Sequence, residues 1–306
     1  MQTAFLYAIT SLIWGSTWIA ITFQLGAVAP EASIVYRFAL AALVLGVFVL
    51  VRKLPMAYSR REHAFIALQG AFLFSFNYIL VYLAEQHLPS GMVAIVFSTL
   101  IIMNVLLGAL LLRNPIRPRV LAGGFLGVAG LILVFSPEIA GLDFSGGRGL
   151  GLALSFVGVL SASIGNVIAA RNQRSGLPVV QTNALGMAYG AMITLVVALV
   201  RGVDFTFDSS PAYVISLAYL AVFGSVIAFG AYLTLIGRMG IDRAAYIGVV
   251  FPLVALALST LFEGLVWNLI ALLGVVLVVA GNVLVLSRRR RVPAATPPSG
   301  QALPQA

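Results

Sequence analysis

Long apolar segments alternate with short polar gaps along almost the whole chain. A helix needs about 20 mostly apolar residues to cross a hydrocarbon core about 30 Å thick. Ten windows of this kind occur, and they predict ten transmembrane helices. The windows are 3–22, 33–51, 64–83, 91–112, 119–136, 149–170, 180–200, 212–235, 244–262 and 267–286.

The composition supports the same class. Only 9% of the residues are charged and 61% are hydrophobic, whereas a soluble domain carries about 25% charged residues. We therefore expect an all-α polytopic membrane protein, because a helix satisfies its own backbone hydrogen bonds in lipid. The gaps are too short for a soluble domain of about 50 residues. Residues 287–306, rich in Pro, Ala and Gln, are expected to form a disordered cytoplasmic tail.

Basic residues mark one side of this array. Fifteen of the 18 Lys and Arg residues fall in every second gap: Arg52, Lys53, Arg60, Arg61, Arg113, Arg117, Arg119, Arg171, Arg174, Arg238, Arg243 and Arg288–Arg291. The positive-inside rule then places both termini in the cytoplasm, with the protein in a plasma membrane such as a bacterial inner membrane. The net charge of +9 is explained by this topology and by contact with anionic head groups, so no nucleic-acid partner is expected.

The second half of the array repeats the first. Residues 91–134 align with 242–285 at an offset of 151. Matched positions include Ala94 with Ala245, Gly123 with Gly274, Ala129 with Ala280 and Gly130 with Gly281. Five helices per half is an odd number, so equivalent helices run in opposite directions. The repeat predicts two inverted five-helix domains, 3–136 and 149–286, a plan of secondary transporters whose site lies between the halves.

Several short motifs add a family resemblance over residues 3–286. They are Trp14-Gly15-Ser16, Arg37-Phe38 and the second-half series Pro252, Glu263, Gly274 and Gly281. With these motifs the chain resembles the drug/metabolite transporter superfamily, in its ten-span branch built from two EamA domains. The resemblance implies export or exchange of small organic solutes, amino acids among them, by alternating access. The first half departs from the pattern, with Ile101 at the position of Pro252 and Leu112 at that of Glu263.

Aromatic and polar side chains near span centres are the candidate substrate ligands. Trp14 and Trp18 share a helix face, and Tyr78 and Tyr82 repeat that spacing beside Asn77. Such a mixture suits a cavity for a small metabolite, although aromatic packing and interhelical hydrogen bonds explain it equally well. The predicted substrate-binding residues are Trp14, Ser16, Trp18, Asn77, Tyr78, Tyr82, Ser98, Asn166 and Tyr246.

Arg37 is the basic residue that lies inside a predicted span. It has three interpretations: a side chain snorkelling to the head groups, an external gate paired with Glu31 or Glu85, or a site for a substrate carboxylate. Pro252 lies near the centre of the ninth span, where it removes the normal partner of the Gly248 carbonyl. It is either a tolerated kink or a hinge. We therefore predict Arg37, Glu85 and Pro252 as gating residues.

The remaining function classes fit less well. A Walker A motif is absent, which excludes self-powered ATP-driven transport. Acids, Lys and His are absent from the span centres, which argues against an intramembrane enzyme, against a metal or other cofactor and against a central proton carrier. We predict a monomeric or homodimeric carrier of small organic solutes, an exporter or exchanger. The alternatives are an importer, a carrier of sugar- or lipid-like solutes, and a non-transporting structural membrane protein.

Overall fold

The chain folds into a bundle of helices. The computed structural model describes residues 2–88, 90–136, 139, 147–263 and 268–287. No strand occurs in these ranges, which confirms the all-α prediction for them. The helices are α1 (Gln2–Thr22), α2 (Pro30–Val51), α3 (Arg60–Glu85), α4 (Met92–Leu112), α5 (Pro118–Val134), α6 (Arg148–Arg174), α7 (Val179–Val200), α8 (Pro211–Met239), α9 (Ile247–Glu263) and α10 (Leu269–Leu286). The predicted tail lies outside the described residues apart from Ser287.

Fewer of these helices have full spanning length than the sequence windows predict. Within the described residues, eight are long and apolar enough to cross a membrane, namely α1 to α4, α6 to α8 and α10. The apolar helix α5 has 17 residues. At 1.5 Å per residue it spans about 25 Å, short of a core about 30 Å thick. The windows missed the short length of α5 because they count apolar residues and ignore helix ends. The described part of α9 also has 17 residues, and it ends at Glu263, where the described range ends.

The α2 and α3 helices begin earlier in the chain than their windows predict, because residues at their first turns favour a helix start. The α2 helix begins at Pro30, three residues before its window, because proline is favoured in a first helical turn. The α3 helix begins at Arg60 behind a capping box. There the Ser59 hydroxyl accepts from the Glu62 N–H at 3.3 Å and the Glu62 carboxylate accepts from the Ser59 N–H at 2.6 Å. Such caps satisfy N–H groups that a helix leaves open, so they extend helices into polar sequence.

Two of the described helices change register in the middle. A π-helical segment occupies Ala71–Phe76 in α3, and a second one occupies Leu220–Ile227 in α8. These two helices are third in their respective halves of the chain. A π segment widens the helix by one residue and is frequently found at functional sites. Both segments lie directly before residues that surround the central cavity.

The α5 and α10 helices approach each other through glycines. A Cβ atom on Gly123 would lie 2.7 Å from the carbonyl oxygen of Gly281, and one on Gly130 would lie 2.5 Å from that of Gly274. Because an early residue of α5 meets a late residue of α10, the two helices are antiparallel. Small residues at such crossings let backbones approach closely in lipid, where packing is a main source of helix association.

The other helices enclose the middle of the bundle. The α1 helix packs against α8 and α9, α6 packs against α3 and α4, and α2 packs along α7. Large apolar side chains remain exposed on the outer faces, including Leu50, Leu110, Phe125, Val200 and Val276. In water this surface would be unstable, but in a membrane it faces lipid.

Candidate substrate site

A cavity of about 90 Å³ lies between α1, α2, α3, α4, α6, α8 and α9. This is room for several water molecules or part of a small solute. Its lining is mostly apolar and contains one formal charge among the described residues. The lining residues are Trp14, Thr17, Trp18, Ile21, Arg37, Leu73, Asn77, Tyr78, Val81, Phe97, Leu100, Ala162, Asn166, Phe229, Tyr232, Gly248 and Phe251.

Aromatic rings from both halves of the chain form the wall. Trp14 lies 5.0 Å from Phe229 and 4.9 Å from Tyr232, measured between ring centroids. Trp18 stacks on Phe251 at 5.6 Å. Ring pairs at these distances attract each other and hold their orientations. The wall is therefore an ordered apolar surface that joins α1 to α8 and α9.

Arg37 supplies the charge. Its side chain is 1% exposed, so it does not reach the head groups as the snorkelling interpretation requires. Its Nε donates to the Ser225 hydroxyl at 3.0 Å, Nη2 donates to the Tyr78 hydroxyl at 3.4 Å, and the guanidinium lies 4.7 Å from the Tyr78 ring centroid. Its Nη1 is buried and has no protein partner. One donor of a buried cation thus remains available at the cavity.

Two amides place free acceptors in the same lining. The Asn166 side chain donates through Nδ2 to the Tyr232 hydroxyl at 3.0 Å, while its Oδ1 has no partner. The Oδ1 of Asn77 is also buried and without a partner. A buried polar atom costs free energy until it is hydrogen-bonded. The cavity therefore carries one cationic donor and two carbonyl acceptors that a ligand or water must satisfy.

Five predicted substrate-binding residues, Trp14, Trp18, Asn77, Tyr78 and Asn166, share this cavity. The other four lie outside its lining: Ser16, Tyr82, Ser98 and Tyr246.

Two of these four, Ser16 and Tyr246, make hydrogen bonds that join different parts of the bundle, whereas Ser98 bonds within its own helix. The Ser16 hydroxyl lies 2.5 Å from that of Tyr219. Ser98 donates to its own helix, at the Ile95 carbonyl. Tyr246 donates to the Val278 carbonyl at 2.8 Å, in the region where α5 and α10 meet.

The predicted gating residues occupy different places. Arg37 forms no ion pair with Glu31 or Glu85 within the described structure, and Glu31 pairs instead with Arg201. Both carboxyl oxygens of Glu85 are buried without a hydrogen bond, one helical turn beyond the lining residue Val81. Pro252 is buried in α9, next to the lining residue Phe251. Gating by these residues stays a prediction.

The structure adds lining residues that the sequence analysis missed, among them Phe97, Phe229, Tyr232 and Phe251. Phe229 and Tyr232 are three residues apart on α8 and share a helix face, as do the aromatic residues of α1 and α3, which are four residues apart. The shared face was the available signal. Ser225 gave no such signal, because a serine in an apolar helix most often bonds to its own backbone.

The chain and its fold have counterparts among known proteins. The model of the EamA-like transporter family matches residues 1–136 and 149–287. The chain belongs to the EamA-like transporter family. It is thus a multi-pass membrane transporter, and the suspected relationship to EamA proteins is confirmed. The two matched segments coincide closely with the two halves predicted from the internal repeat.

Individual relatives of this EamA protein are similar over nearly their whole length. The "Uncharacterized inner membrane transporter YedA" of Escherichia coli K12 is 30% identical, over 92% of this chain and 90% of that one. The "Probable amino-acid metabolite efflux pump" of Salmonella typhimurium is 24% identical, over 92% of this chain and 93% of that one. A solved structure titled "Crystal structure of protein" matches with a TM-score of 0.76 at 16% identity, covering 93% of this chain and 96% of that chain, and it supports the fold alone.

Proposed function

We propose that this EamA transporter exports or exchanges amino acids or closely related zwitterions by alternating access. One observation carries the proposal: the unpartnered Nη1 of Arg37 and the unpartnered Oδ1 atoms of Asn77 and Asn166 belong to one cavity. A substrate carboxylate accepts from a guanidinium, and an ammonium group donates to amide carbonyls. An α-amino acid carries both groups on the same carbon atom.

The rest of the cavity suits the remainder of such a molecule. The aromatic wall offers an apolar surface to a side chain, and no acidic residue is present in the described lining. An organic cation would therefore meet the Arg37 charge without a carboxylate to offset it. The efflux pumps of Salmonella typhimurium and Escherichia coli K12, which are named for amino-acid metabolites, resemble this chain at 24% identity each. These names support the same substrate class.

Glycine contacts support the inverted repeat of five helices in each half. The offset of 151 makes Gly123 equivalent to Gly274 and Gly130 equivalent to Gly281. In the bundle Gly123 meets Gly281, and Gly130 meets Gly274. Exchanging each glycine for its equivalent therefore converts one contact into the other, which is the pattern that a two-fold axis produces. Because the helices are antiparallel, that axis lies in the membrane plane.

Other helix pairs obey the same relation. The contact of α1 with α8 corresponds to that of α6 with α3, and the contact of α1 with α9 corresponds to that of α6 with α4. The π segment of each half lies in its third helix. We propose that domains 3–136 and 149–286 are the two inverted repeats, with the cavity between them. Such halves move relative to each other in alternating access.

Polar contacts join the two halves on the side that the basic residues predict to be cytoplasmic. On the predicted cytoplasmic side, Arg117 of the first half pairs with Asp242 of the second half at 3.3 Å. Arg174 donates to the Leu112 carbonyl at 3.2 Å and also bonds to Asn114. We propose that these contacts close the cytoplasmic entrance and that both termini lie on that side of a bacterial inner membrane.

The test is binding followed by transport. Purified protein is heated with each of the twenty common L-amino acids, since a ligand that binds the folded state raises the melting temperature. Amino acids that stabilise it are then assayed for counterflow in vesicles. We expect stabilisation and counterflow by at least one amino acid. Failure of every amino acid in both assays contradicts the proposal and favours sugar- or lipid-like solutes or a structural role.

A further inference from the structure

The π segment of α8 reaches the substrate site through its backbone. The Ala228 N–H donates to the Phe223 carbonyl five residues earlier and to the Ser225 carbonyl three residues earlier, and not to the Gly224 carbonyl four residues earlier as in an α-helix. The Gly224 carbonyl is therefore without its α-helical donor and accepts from the Trp14 indole N–H at 3.2 Å. The register shift thus supplies the acceptor that orients one ring of the aromatic wall.

The next residue of the segment orients the cation. The Ser225 hydroxyl donates to the Leu220 carbonyl at 3.0 Å, so its lone pairs remain to accept from Nε of Arg37, also at 3.0 Å. A hydroxyl has one proton, so its direction is fixed once that proton is donated. Ser225 is buried, which shields the bond to Arg37 from water.

Gly224 makes room for the same guanidinium. A Cβ at this position would lie 3.1 Å from Nη2 of Arg37 and 3.0 Å from a methyl carbon of Thr17. The segment therefore constrains the planar fork of Arg37 in two ways, by a hydrogen bond at Nε and by a close backbone at Nη2. Because the guanidinium is planar, fixing these two nitrogens also fixes the direction of Nη1.

We propose that the π segment Leu220–Ile227 is the positioning element of the substrate site and that Ser225 determines its preference for a carboxylate. Ser225 acts by orienting the Arg37 guanidinium, and the Gly224 carbonyl of the same segment orients the Trp14 ring. If the segment returned to α-helical register, the Gly224 carbonyl would accept from the Ala228 N–H and no longer from Trp14. Trp14 and Arg37 would then lose their fixed positions together. The link to carboxylate preference rests on the proposed function, whereas the positioning of Arg37 does not.

The other π segment provides an internal control. In α3, the Phe72 carbonyl accepts from the Ser161 hydroxyl at 2.8 Å, and the Ser75 hydroxyl accepts from that of Thr194 at 2.8 Å. Each segment thus binds the first and second helices of the opposite half through one carbonyl and one serine. The partners in α3 are neutral hydroxyls, so this copy serves packing and carries no charged ligand.

The experiment compares Ser225→Ala with Ser75→Ala, since each variant removes one buried serine hydroxyl from a π segment. The probes are the amino acid that stabilises the wild-type protein most and its carboxamide, which lacks the carboxylate. We expect Ser225→Ala to raise the Kd of the amino acid about tenfold, as for a lost hydrogen bond to a charged group, and that of the carboxamide less than twofold. Ser75→Ala should shift both by similar small factors, and Ser225→Thr, which keeps the hydroxyl, should restore selectivity.

A second measurement needs no substrate. In protein labelled with ¹⁵N-arginine, the buried and hydrogen-bonded Nε–H of Arg37 should exchange slowly with water, and Arg37→Lys assigns its signal. We expect Ser225→Ala to remove this protection and Ser75→Ala to keep it. Retained protection in Ser225→Ala overturns the positioning role, and equal loss of selectivity in both alanine variants overturns the specificity role. If no amino acid binds, but Ser225→Ala removes the protection and Ser75→Ala keeps it, the proposed substrate class is wrong and the positioning of Arg37 by Ser225 is supported.

Discussion

Gly130 on α5 and Gly274 on α10 lie so close that a Cβ atom on either would come within 2.5 Å of the other's carbonyl oxygen. Neither residue has a left-handed backbone, so the glycines are required by the approach of the two helices and not by a turn. Each glycine faces the other's backbone, so a methyl group at either position would meet the same obstacle.

Adding a methyl group at this contact should destabilise the bundle. We expect Gly274→Ala to lower the free energy of unfolding by about 1–3 kcal/mol through overpacking, and Gly130→Ala to cost a similar amount. Gly46→Ala is the matched control, since nothing lies within 4 Å of its Cβ position on α2. Thermal unfolding of purified protein in detergent measures the effect, and equal stability of all three variants would contradict it.

The Arg37→Lys variant tests whether the guanidinium group binds the substrate carboxylate or only packs within the bundle. A lysine keeps the charge but lacks both the planar fork and the Nε donor that bonds Ser225. We expect the affinity for the transported amino acid to fall about tenfold or more, with little change for its carboxamide. The amino-acid concentration that gives half-maximal counterflow measures this affinity. Full activity of the lysine variant would show that the fork is dispensable.

Asn166→Ala should weaken recognition of the substrate ammonium group. The free Oδ1 of Asn166 is one of two proposed acceptors for that group. We expect about a tenfold loss of affinity for the amino acid and no loss for its des-amino analogue, which keeps the carboxylate.

Asn104→Ala is the control for that variant. Asn104 is equally buried, but its amide already donates to the Ile241 carbonyl and accepts from Ser163, and it does not line the cavity. The Asn104→Ala variant should lower the free energy of unfolding without changing the ratio of the affinities for the amino acid and its des-amino analogue. A parallel loss for both ligands in Asn166→Ala would contradict the ammonium role.

Breaking the Arg117–Asp242 pair should open the predicted cytoplasmic side at little cost in stability. Arg117 is 44% exposed, and exposed pairs contribute only about 0–1 kcal/mol. The chain contains no cysteine, so a single Ala170→Cys reports the accessibility of a pocket that Ala170 lines together with Arg117 and Asp242, on the predicted cytoplasmic side. We expect Asp242→Asn to speed its reaction with a maleimide several-fold, while Asp204→Asn does not. An unchanged rate would argue against a gate.

An imposed pH gradient should not drive accumulation in vesicles. No acidic residue lines the described cavity, and Glu31 and Asp242 are in ion pairs. We therefore expect uncoupled or exchange transport, measured as counterflow without gradient-driven uptake. Accumulation that follows the gradient, and that Glu85→Gln abolishes, would identify Glu85 as a proton carrier.

The helical class was predictable because lipid leaves few alternatives. An apolar segment in a bilayer must satisfy its own backbone, so composition alone selects helices. The length of α5 was less predictable, since a helix end depends on caps and turns that apolar windows do not detect. The glycine matches between the two halves identified positions that the bundle then brings into contact.

The site was predictable in part. Trp14 and Asn166 were found because polar or aromatic groups at span centres need a reason to be there. Tyr246 has the same sequence signature but serves the α5–α10 contact, and only the packing distinguishes the two cases. The role of Ser225 depends on a π segment, which has no clear signature in the sequence. Its partner Arg37 is far away along the chain, so spacing could not connect them.

The cavity is lined by seven helices, and α5, α7 and α10 contribute none of its lining residues. The glycine contact between α5 and α10 is therefore separate from the residues that line the cavity. Substitutions around the cavity can change which solute is accepted without loosening that contact. A search for variants with altered substrates can thus be confined to the inner faces of the seven lining helices, with the glycines of α5 and α10 held constant.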